Sequence, residues 1–491
     1  MALLNKNSPY PAILAACFGV FIAADDQTVI VTILPSIMSD FRLGIDDLGQ
    51  VSWTVTGYLL GYTAVLPLMG RISDVHGHRR VYLLAMGIFL VGSVLAAMAN
   101  GLWTLVGFRV IQAVGGGAVV PVTIAMIGDL LPPGRRGMAL GIMGASAEMG
   151  AVIGPLWGSL IDRFLDWRWV FWMNVPLVII VVVLIMLLAP SGRRYPRPVD
   201  YRGGLILALV MVLVTLALSR LGEAPVQAGA GLALGGLLLA GFLWSQSRAS
   251  FPLTPLSLFR RVSFSAANAS HFFVGAALII AMVNIPLITD TVMGKEPLEG
   301  GLRLLRLTGA IPVGALAGGF AASRLGYRLP TAAGLLLGAT SFYFLSTWDL
   351  ELSDPMMTVH LLIGGLGFGL VIAPIATAAI NSVPPEDRGT AAALLTVMRM
   401  MGMIVGLAAL TSWGTDRFDT LVRGIDLSLV DPGYINEVTS AGLIVFEGFF
   451  LTAMALCLLA LVPTWLMRGE KHGVQSPTVP IGGTGDTSWG R

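Results

Sequence analysis

The sequence is poor in charged residues and in cysteine. Only 12% of its 491 residues are Asp, Glu, Lys or Arg, which is about half the fraction usual in soluble domains. The two cysteines, Cys17 and Cys457, lie inside apolar stretches, which argues against a disulfide and a metal site. The sequence has no phosphate-binding P-loop, no His/Cys cluster and no nucleophile elbow. We therefore expect neither an ATP-driven pump nor an enzyme, and no cofactor.

Apolar residues, by contrast, are abundant throughout the chain. Hydrophobic residues make up 55% of the sequence, and the mean hydropathy is +0.81. A helix needs about 20 mostly apolar residues to cross a bilayer, and the chain has room for many such helices. Its 60 glycines suit close contact between helices in lipid, where small residues favour packing. The composition predicts an all-α, multi-pass membrane protein.

Hydropathy, turn residues and charges together predict about fourteen membrane spans. Their approximate bounds are 11–35, 50–70, 80–99, 103–127, 137–161, 168–190, 203–221, 228–246, 264–290, 303–323, 330–347, 357–381, 391–413 and 440–466. Arginines concentrate in alternate connections, including Arg71, Arg79, Arg80, Arg135, Arg136, Arg193, Arg194 and Arg388, whereas the opposite loops are acidic. Since positive residues favour the cytoplasmic side, both termini are predicted to be cytoplasmic.

The connection between spans two and three carries a recognisable motif. It reads Gly70-Arg71-Ile72-Ser73-Asp74-Val75-His76-Gly77-His78-Arg79-Arg80 and resembles the G-x-L-x-D-x-x-G-R-K loop of the major facilitator superfamily. The alternative is an ordinary basic loop that follows the positive-inside rule. The resemblance implies a cytoplasmic gating loop formed by Gly70, Asp74, Gly77, Arg79 and Arg80. It also implies that Asp74 faces a helix N-terminus in the second half, near the start of the span after Pro384-Pro385.

Arg109 and Gln112 lie in the fourth span, in LVGFRVIQAVGGG. A charged arginine in lipid is costly unless it faces a partner or a water-filled cavity, so Arg109 is a functional candidate. Snorkelling to the external surface is the alternative. The segment resembles the R-x-x-Q-G motif of the superfamily, with Ala113 in the place of the glycine. The resemblance implies that Arg109 tunes the proton affinity of an acidic neighbour.

The fifth span contains Gly150-x-x-x-Gly154-Pro155-x-x-Gly158. The three glycines fall on one smooth helix face, and Pro155 removes a backbone hydrogen bond and bends the helix. A plain helix-packing face is the alternative reading. The string is similar to the antiporter motif of exporters in the superfamily, a motif generally missing from uptake members.

Five acidic or basic positions inside the spans are candidates for proton or substrate coupling, together with Arg109. The segment from Asp26 to Pro35 resembles L-D-x-T-V-V-N-V-A-L-P of fourteen-span drug:proton antiporters, with Asp26 at the family's acidic position and Asp25 as an additional acid. Glu148 lies near mid-depth in the fifth span and is either a carrier or an ion-pair partner. Arg399 in TVMRMMGMIVG and Glu447 complete the set.

Further resemblances extend over nearly the whole chain. PPGRRG (132–137) and PPEDRG (384–389) recur in the two halves, which is consistent with internal duplication. The predicted units are an N-terminal six-helix bundle (1–190), a linker with two extra helices (191–262), a C-terminal six-helix bundle (263–466) with a long external loop (414–439), and a disordered cytoplasmic tail (467–491). The segments 53–74 and 171–176, with that loop, resemble exporters whose mycobacterial members move triacylglycerides.

The resemblance implies a major facilitator fold, in which two six-helix bundles surround a central cavity beside two linker helices. It implies proton-coupled export of hydrophobic or amphiphilic substrates, either drugs or lipids such as triacylglycerides, across the plasma membrane by alternating access. The expected partners are membrane lipids, the substrate and a periplasmic lipoprotein acceptor, with no nucleic acid and a monomeric state. Two alternatives remain, an uptake symporter and a lipid flippase or scaffold that is not coupled to protons.

Overall fold

The chain folds almost entirely into helices. The computed structural model describes residues 8–43, 48–51, 53–190, 198–219, 225–295, 297–350, 352–424 and 432–467. Within these ranges there are fifteen α-helices and no β-strand. They are α1 (Tyr10–Asp40), α2 (Leu48–Val51), α3 (Trp53–His76), α4 (His78–Ala97), α5 (Leu102–Leu130), α6 (Pro133–Phe164), α7 (Arg168–Leu188), α8 (Tyr201–Ser219), α9 (Pro225–Arg248), α10 (Val262–Thr291), α11 (Pro297–Leu325), α12 (Arg328–Ser346), α13 (Asp354–Asn381), α14 (Arg388–Arg423) and α15 (Pro432–Leu466).

Twelve helices in the described part of the chain are long and apolar enough to cross a membrane. Two of the fourteen predicted spans are not among them. The span 50–70 corresponds to α3, which carries Arg71 and Asp74 in its last turns, and the span 203–221 corresponds to α8, whose apolar stretch is only Tyr201–Ala217. The chain is therefore a multi-pass helical membrane protein, and the total of fourteen spans stays a prediction.

The helices pack as two groups with a contact layer between them. In the first group α1 lies along α6 and α5 packs between α3 and α4; in the second, α13 packs on α11 and α12, and α10 on α14 and α15. The two groups meet where α3 contacts α14 and α6 contacts α11. Two glycines make the second contact possible, because a Cβ on Gly141 would lie 2.9 Å from the Cα of Gly319.

The helices α8 and α9 form a pair beside the first group. They pack on each other, and α8 also lies against α3. Gln246 of α9 donates a hydrogen bond of 2.8 Å to Asp200 just before α8, which links the ends of the two helices. Residues 191–197 of the predicted linker, and the tail from residue 468 onward, lie outside the described residues.

The prediction of a loop over residues 414–439 is wrong for most of that range, because helices occupy both of its ends. The helix α14 continues to Arg423 and α15 already begins at Pro432. Hydropathy marks where a helix leaves the apolar region, but the backbone hydrogen bonds continue past that point. Charged residues also support the polar end of α14, where Arg423 lies 3.8 Å from Asp419 one turn earlier. At 36 residues, α14 is about 54 Å long, well beyond the roughly 30 Å hydrocarbon core.

Candidate functional site

Five side chains from four helices form a buried polar network, here called the Asp26 cluster. Asp26 of α1 accepts hydrogen bonds from Arg109 (2.7 Å), Gln112 (2.8 Å) and Asn174 (2.8 Å). Gln112 also donates to Ser93 at 2.8 Å and accepts from Arg109 at 3.0 Å. The structure therefore brings together Asp26, Arg109 and Gln112, which the sequence singled out, with Asn174 and Ser93, which it did not.

The Asp26 cluster is sealed from solvent. Asp26, Arg109 and Gln112 are all 0% exposed, so the snorkelling alternative for Arg109 is wrong. The guanidinium group lies over the ring of Tyr58, 4.3 Å from its centroid, and 5.6 Å from that of Phe171. Such a buried ion pair is tolerated only where further hydrogen bonds complete it, and Asp26 has three donors. The three donors hold the Asp26 carboxyl group in one position between α1, α5 and α7.

Asp25 is next in sequence but lies outside this network. It is 8% exposed, and its Oδ1 atom has no hydrogen-bond partner among the described residues. Its backbone lies against α6, since a Cβ on Gly154 would be 2.7 Å from the Asp25 carbonyl oxygen. The two adjacent acids thus have different surroundings: Asp26 has three hydrogen-bond donors, whereas Asp25 forms no ion pair with a cationic side chain among the residues that the structure describes.

A second ionic contact joins the two halves of the molecule. Glu148 of α6 and Arg399 of α14 lie 2.9 Å apart, with side chains that are 13% and 22% exposed. The pair is therefore less deeply buried than Asp26 and Arg109. Of the two roles predicted for Glu148, the structure places it as an ion-pair partner, and it leaves the carrier role open. Glu447 of α15 is exposed and belongs neither to the Asp26 cluster nor to the Glu148–Arg399 pair.

His271 of α10 lies near Arg399 and was not predicted from the sequence as a functional residue. It is buried, and its Nδ1 atom is 2.9 Å from the carbonyl oxygen of Leu395, one turn before Arg399. One turn after His271, a Cβ on Gly275 would lie 2.2 Å from the Arg399 carbonyl oxygen, so α10 and α14 touch here. A lone histidine in an apolar segment gives no sequence signal that separates it from a residue of the core.

The cytoplasmic ends of the two halves are held together by Asp74. Its Oδ1 atom accepts a hydrogen bond from the amide of Gly389 (2.7 Å), and its Oδ2 atom accepts from the amide (2.9 Å) and hydroxyl (2.9 Å) of Thr390. This is the start of α14, the helix after Pro384-Pro385 to which the resemblance pointed. A carboxylate here satisfies free amides and complements the helix dipole.

Three more contacts cross the same layer. Arg71 pairs with Asp387 at 3.1 Å, Arg388 with Asp129 at 2.7 Å, and Arg136 donates to Asn381. The helices are so close that a Cβ on Gly70 would lie 2.5 Å from the carbonyl oxygen of Gly389. We call this set of contacts, with Asp74, the cytoplasmic gate.

The other predicted loop residues have different positions. Gly77 has a φ of 91°, a conformation that side chains rarely adopt, and it makes the turn between α3 and α4. Arg79 donates at 2.6 Å to the carbonyl oxygen of Met186 in its own half, and Arg80 is exposed. Gly77 therefore shapes the loop, while the arginines that reach across the gate are Arg71, Arg136 and Arg388.

Comparison with known proteins identifies the family. Residues 16–407 match the family described as Major Facilitator Superfamily. The chain belongs to the major facilitator superfamily. It is 39% identical over 429 residues to a triacylglyceride transporter of Mycobacteroides abscessus, covering 83% of this chain and 82% of that protein. It is 35% identical over 519 residues to a triacylglyceride transporter of Mycolicibacterium smegmatis, covering 98% and 92%.

Solved structures support the same fold. The human organic anion transporter MFSD10 superposes with a TM-score of 0.65 at 17% identity, over 94% of this chain and 99% of that one. The proton:xylose symporter XylE gives a TM-score of 0.65 at 16% identity, over 94% and 96%. As a major facilitator protein with relatives named as transporters, the chain is a membrane transporter and not an enzyme.

The three glycines of the predicted antiporter motif form the face of α6 that packs against α1. The backbone of α6 contacts α1 directly at these three glycines. A Cβ on Gly150 would lie 2.3 Å from the Phe21 carbonyl oxygen, one on Gly154 would lie 2.2 Å from Thr28 Oγ1, and one on Gly158 would lie 2.6 Å from Thr32 Oγ1. Thr28 also donates at 3.0 Å to a backbone carbonyl of α6. Pro155 lies inside the helix, within this contact. The motif therefore fixes α6, and with it Glu148, against the helix that carries Asp25 and Asp26.

Proposed function

We propose that this transporter exports triacylglycerides across the plasma membrane in exchange for protons, by alternating access. The observation that carries the proposal is the Glu148–Arg399 ion pair, which joins the two halves at 2.9 Å and is partly exposed. Relatives named triacylglyceride transporters cover nearly the whole chain, and this supports a lipid over a small drug as the cargo. Drug export remains the second candidate for the same machinery.

The cytoplasmic gate supports alternating access. Its contacts pair residues of α3, α5 and α6 with residues around the start of α14 and the end of α13. Deeper in the molecule, the Glu148–Arg399 pair is the contact that protonation would break, because a neutral Glu148 no longer attracts the guanidinium group. In the proposed cycle, a proton from outside loosens this pair, the halves rock, and deprotonation on the cytoplasmic side restores it.

The remaining intramembrane groups receive separate roles in this proposal. Asp26 links α1 to α5 through Arg109 and Gln112 and to α7 through Asn174, and it thereby fixes the packing of these helices. Asp25, which has no cationic partner in the described part of the chain, is the auxiliary proton-accepting group. The protein is proposed to have fourteen spans, with cytoplasmic termini and with α8 and α9 as the linker helices. It is proposed to act as a monomer that delivers lipid to a periplasmic lipoprotein.

Transport by purified protein in vesicles tests the proposal. We expect an imposed pH gradient to drive the transfer of a fluorescent triacylglyceride, and Glu148→Gln to abolish the gradient dependence while the protein still folds. Glu447→Gln is the matched control, since Glu447 is exposed and outside both clusters, and it should transport like the wild type. A cationic dye in the same vesicles distinguishes a drug exporter from a lipid exporter. Gradient-driven transfer by Glu148→Gln at the wild-type rate would remove Glu148 from the proton pathway.

A further inference from the structure

A cavity lies between the outer parts of α10, α14 and α15, far from the cytoplasmic gate. Its volume is about 380 Å³, which falls within the range of roughly 300–1,000 Å³ typical of small-molecule sites. On α14 the cavity begins at Leu407 and includes Leu410. Leu410 is 21 residues beyond Gly389 in the gate, a distance of about 32 Å along the helix. The cavity therefore lies near the external face of the bilayer, and we call it the α10–α14–α15 pocket.

The walls of this pocket are almost entirely apolar. Ile280, Leu410 and Phe446 form part of the lining and are at most 7% exposed. None of the residues that line it, all of them described by the structure, is charged. Two of its polar side chains already bond to their own helix, Asn284 to the Ile280 carbonyl at 2.9 Å and Thr291 to the Leu287 carbonyl at 2.7 Å. Most of the remaining lining is aliphatic or aromatic, so the walls suit hydrocarbon.

Glycines set the shape of the pocket. A Cβ on Gly414 would lie 2.2 Å from the ring of Phe449, so the ring lies directly against the backbone of α14. A Cβ on Gly442 would lie 3.1 Å from Val292. Both glycines line the cavity. Because Gly414 has no side chain, the Phe449 ring packs against the backbone of α14 and leaves the space between α10, α14 and α15 open.

We propose that the α10–α14–α15 pocket binds one acyl chain of a triacylglyceride. This inference rests on the proposed function and adds a site outside the contact layer between the two halves. The volume is that of one drug-sized ligand, so it accommodates one chain while the rest of the molecule lies elsewhere. The absence of a cation among the described lining residues favours a neutral glyceride, because the phosphate of a phospholipid attracts Arg or Lys.

Photo-crosslinking in vesicles tests this assignment without requiring transport. The full chain is reconstituted with a triacylglyceride that carries a diazirine near the end of one acyl chain, irradiated without a gradient, and mapped by peptide mass spectrometry. We expect crosslinks in 280–292 and 407–418. Val445→Trp, which fills the pocket, should reduce them at least tenfold. Leu459→Trp on the same helix is the matched control, because Leu459 is 53% exposed and outside the pocket.

Competition in the wild type keeps the test independent of how the variants fold. Excess unlabelled triacylglyceride should suppress the pocket crosslinks, whereas a phospholipid bearing the same diazirine chain should not produce them. Equal labelling by the phospholipid probe, or crosslinks confined to exposed positions such as Leu459 and Trp465, would overturn the assignment. Pocket crosslinks in a protein that shows no gradient-driven export would instead refute the proposed function and leave the pocket in place.

Discussion

Removing the Asp74 carboxylate should open the cytoplasmic gate. In Asp74→Ala the two amides and the hydroxyl at the start of α14 lose their acceptor. Hydrogen bonds to charged groups contribute about 1.5–3 kcal/mol each, and breaking a buried charged contact costs about 3–5 kcal/mol. Because the contact exists only while the gate is closed, a loss of about 3 kcal/mol raises the ratio of open to closed molecules about a hundredfold.

Cysteine accessibility measures this shift. The native thiols Cys17 and Cys457 are 2% and 1% exposed, and buried structural thiols of this kind are unreactive. Ser73→Cys is a near-isosteric reporter, since Ser73 is 0% exposed and its Oγ would lie 2.4 Å from a Cβ on Gly389. We expect a water-soluble maleimide to label this cysteine about a hundredfold faster in the Asp74→Ala background.

The control for this experiment is His76→Ala in the same helix, because His76 is exposed and its ring contacts the Ile72 carbonyl oxygen one turn earlier in α3. It should leave the labelling rate unchanged. The gate reasoning is refuted if Asp74→Ala and His76→Ala label equally slowly. It is also refuted if the two variants accelerate labelling to the same extent, because the effect would then be a general loosening of α3.

Three further results are expected. Asp26→Ala should destabilise the folded protein by about 3–5 kcal/mol, because it leaves the buried Arg109 without its anionic partner. The double variant Asp26→Asn/Arg109→Gln should recover part of that loss. Thermal unfolding in detergent measures both effects, and equal melting temperatures for the single and double variants would contradict the pairing. Gly154→Leu should impair transport by pushing α6 off α1, whereas Gly107→Leu should not, because a Cβ on Gly107 would have open space around it; equal transport rates in vesicles for the two variants would contradict the role of this glycine face. Asn174→Leu should weaken gradient-driven transport, measured in vesicles, because Asp26 loses one of its three donors, and transport at the wild-type rate would show that this donor is dispensable.

The sequence indicated the family and many of the helices because both depend on local information. Apolar runs of sufficient length and strings such as Gly150–Gly158 are visible in a single stretch of chain. The partners of charged groups are not, since they come from distant helices: nothing near Glu148 specifies Arg399, 251 residues away. Asn174 and Ser93 were missed because single polar residues in apolar helices usually satisfy their own backbone. Hydropathy predicts a loop after Trp413 because the apolar residues end there, whereas the backbone hydrogen bonds of α14 continue to Arg423.

The helix α14 connects three of the features described above in one uninterrupted rod. Its first residues donate hydrogen bonds to Asp74 in the gate, Arg399 lies in its middle and pairs with Glu148, and Leu410 and Phe418 line the outer pocket. Prolines lie inside α1, α3, α5, α6, α7, α10, α11, α13 and α15, whereas the 36 residues of α14 contain none. It can therefore act as a lever with its fulcrum at Arg399. A tilt of about 10° would displace the outer end by on the order of 6 Å, so the gate and the outer pocket are mechanically linked through a single helix.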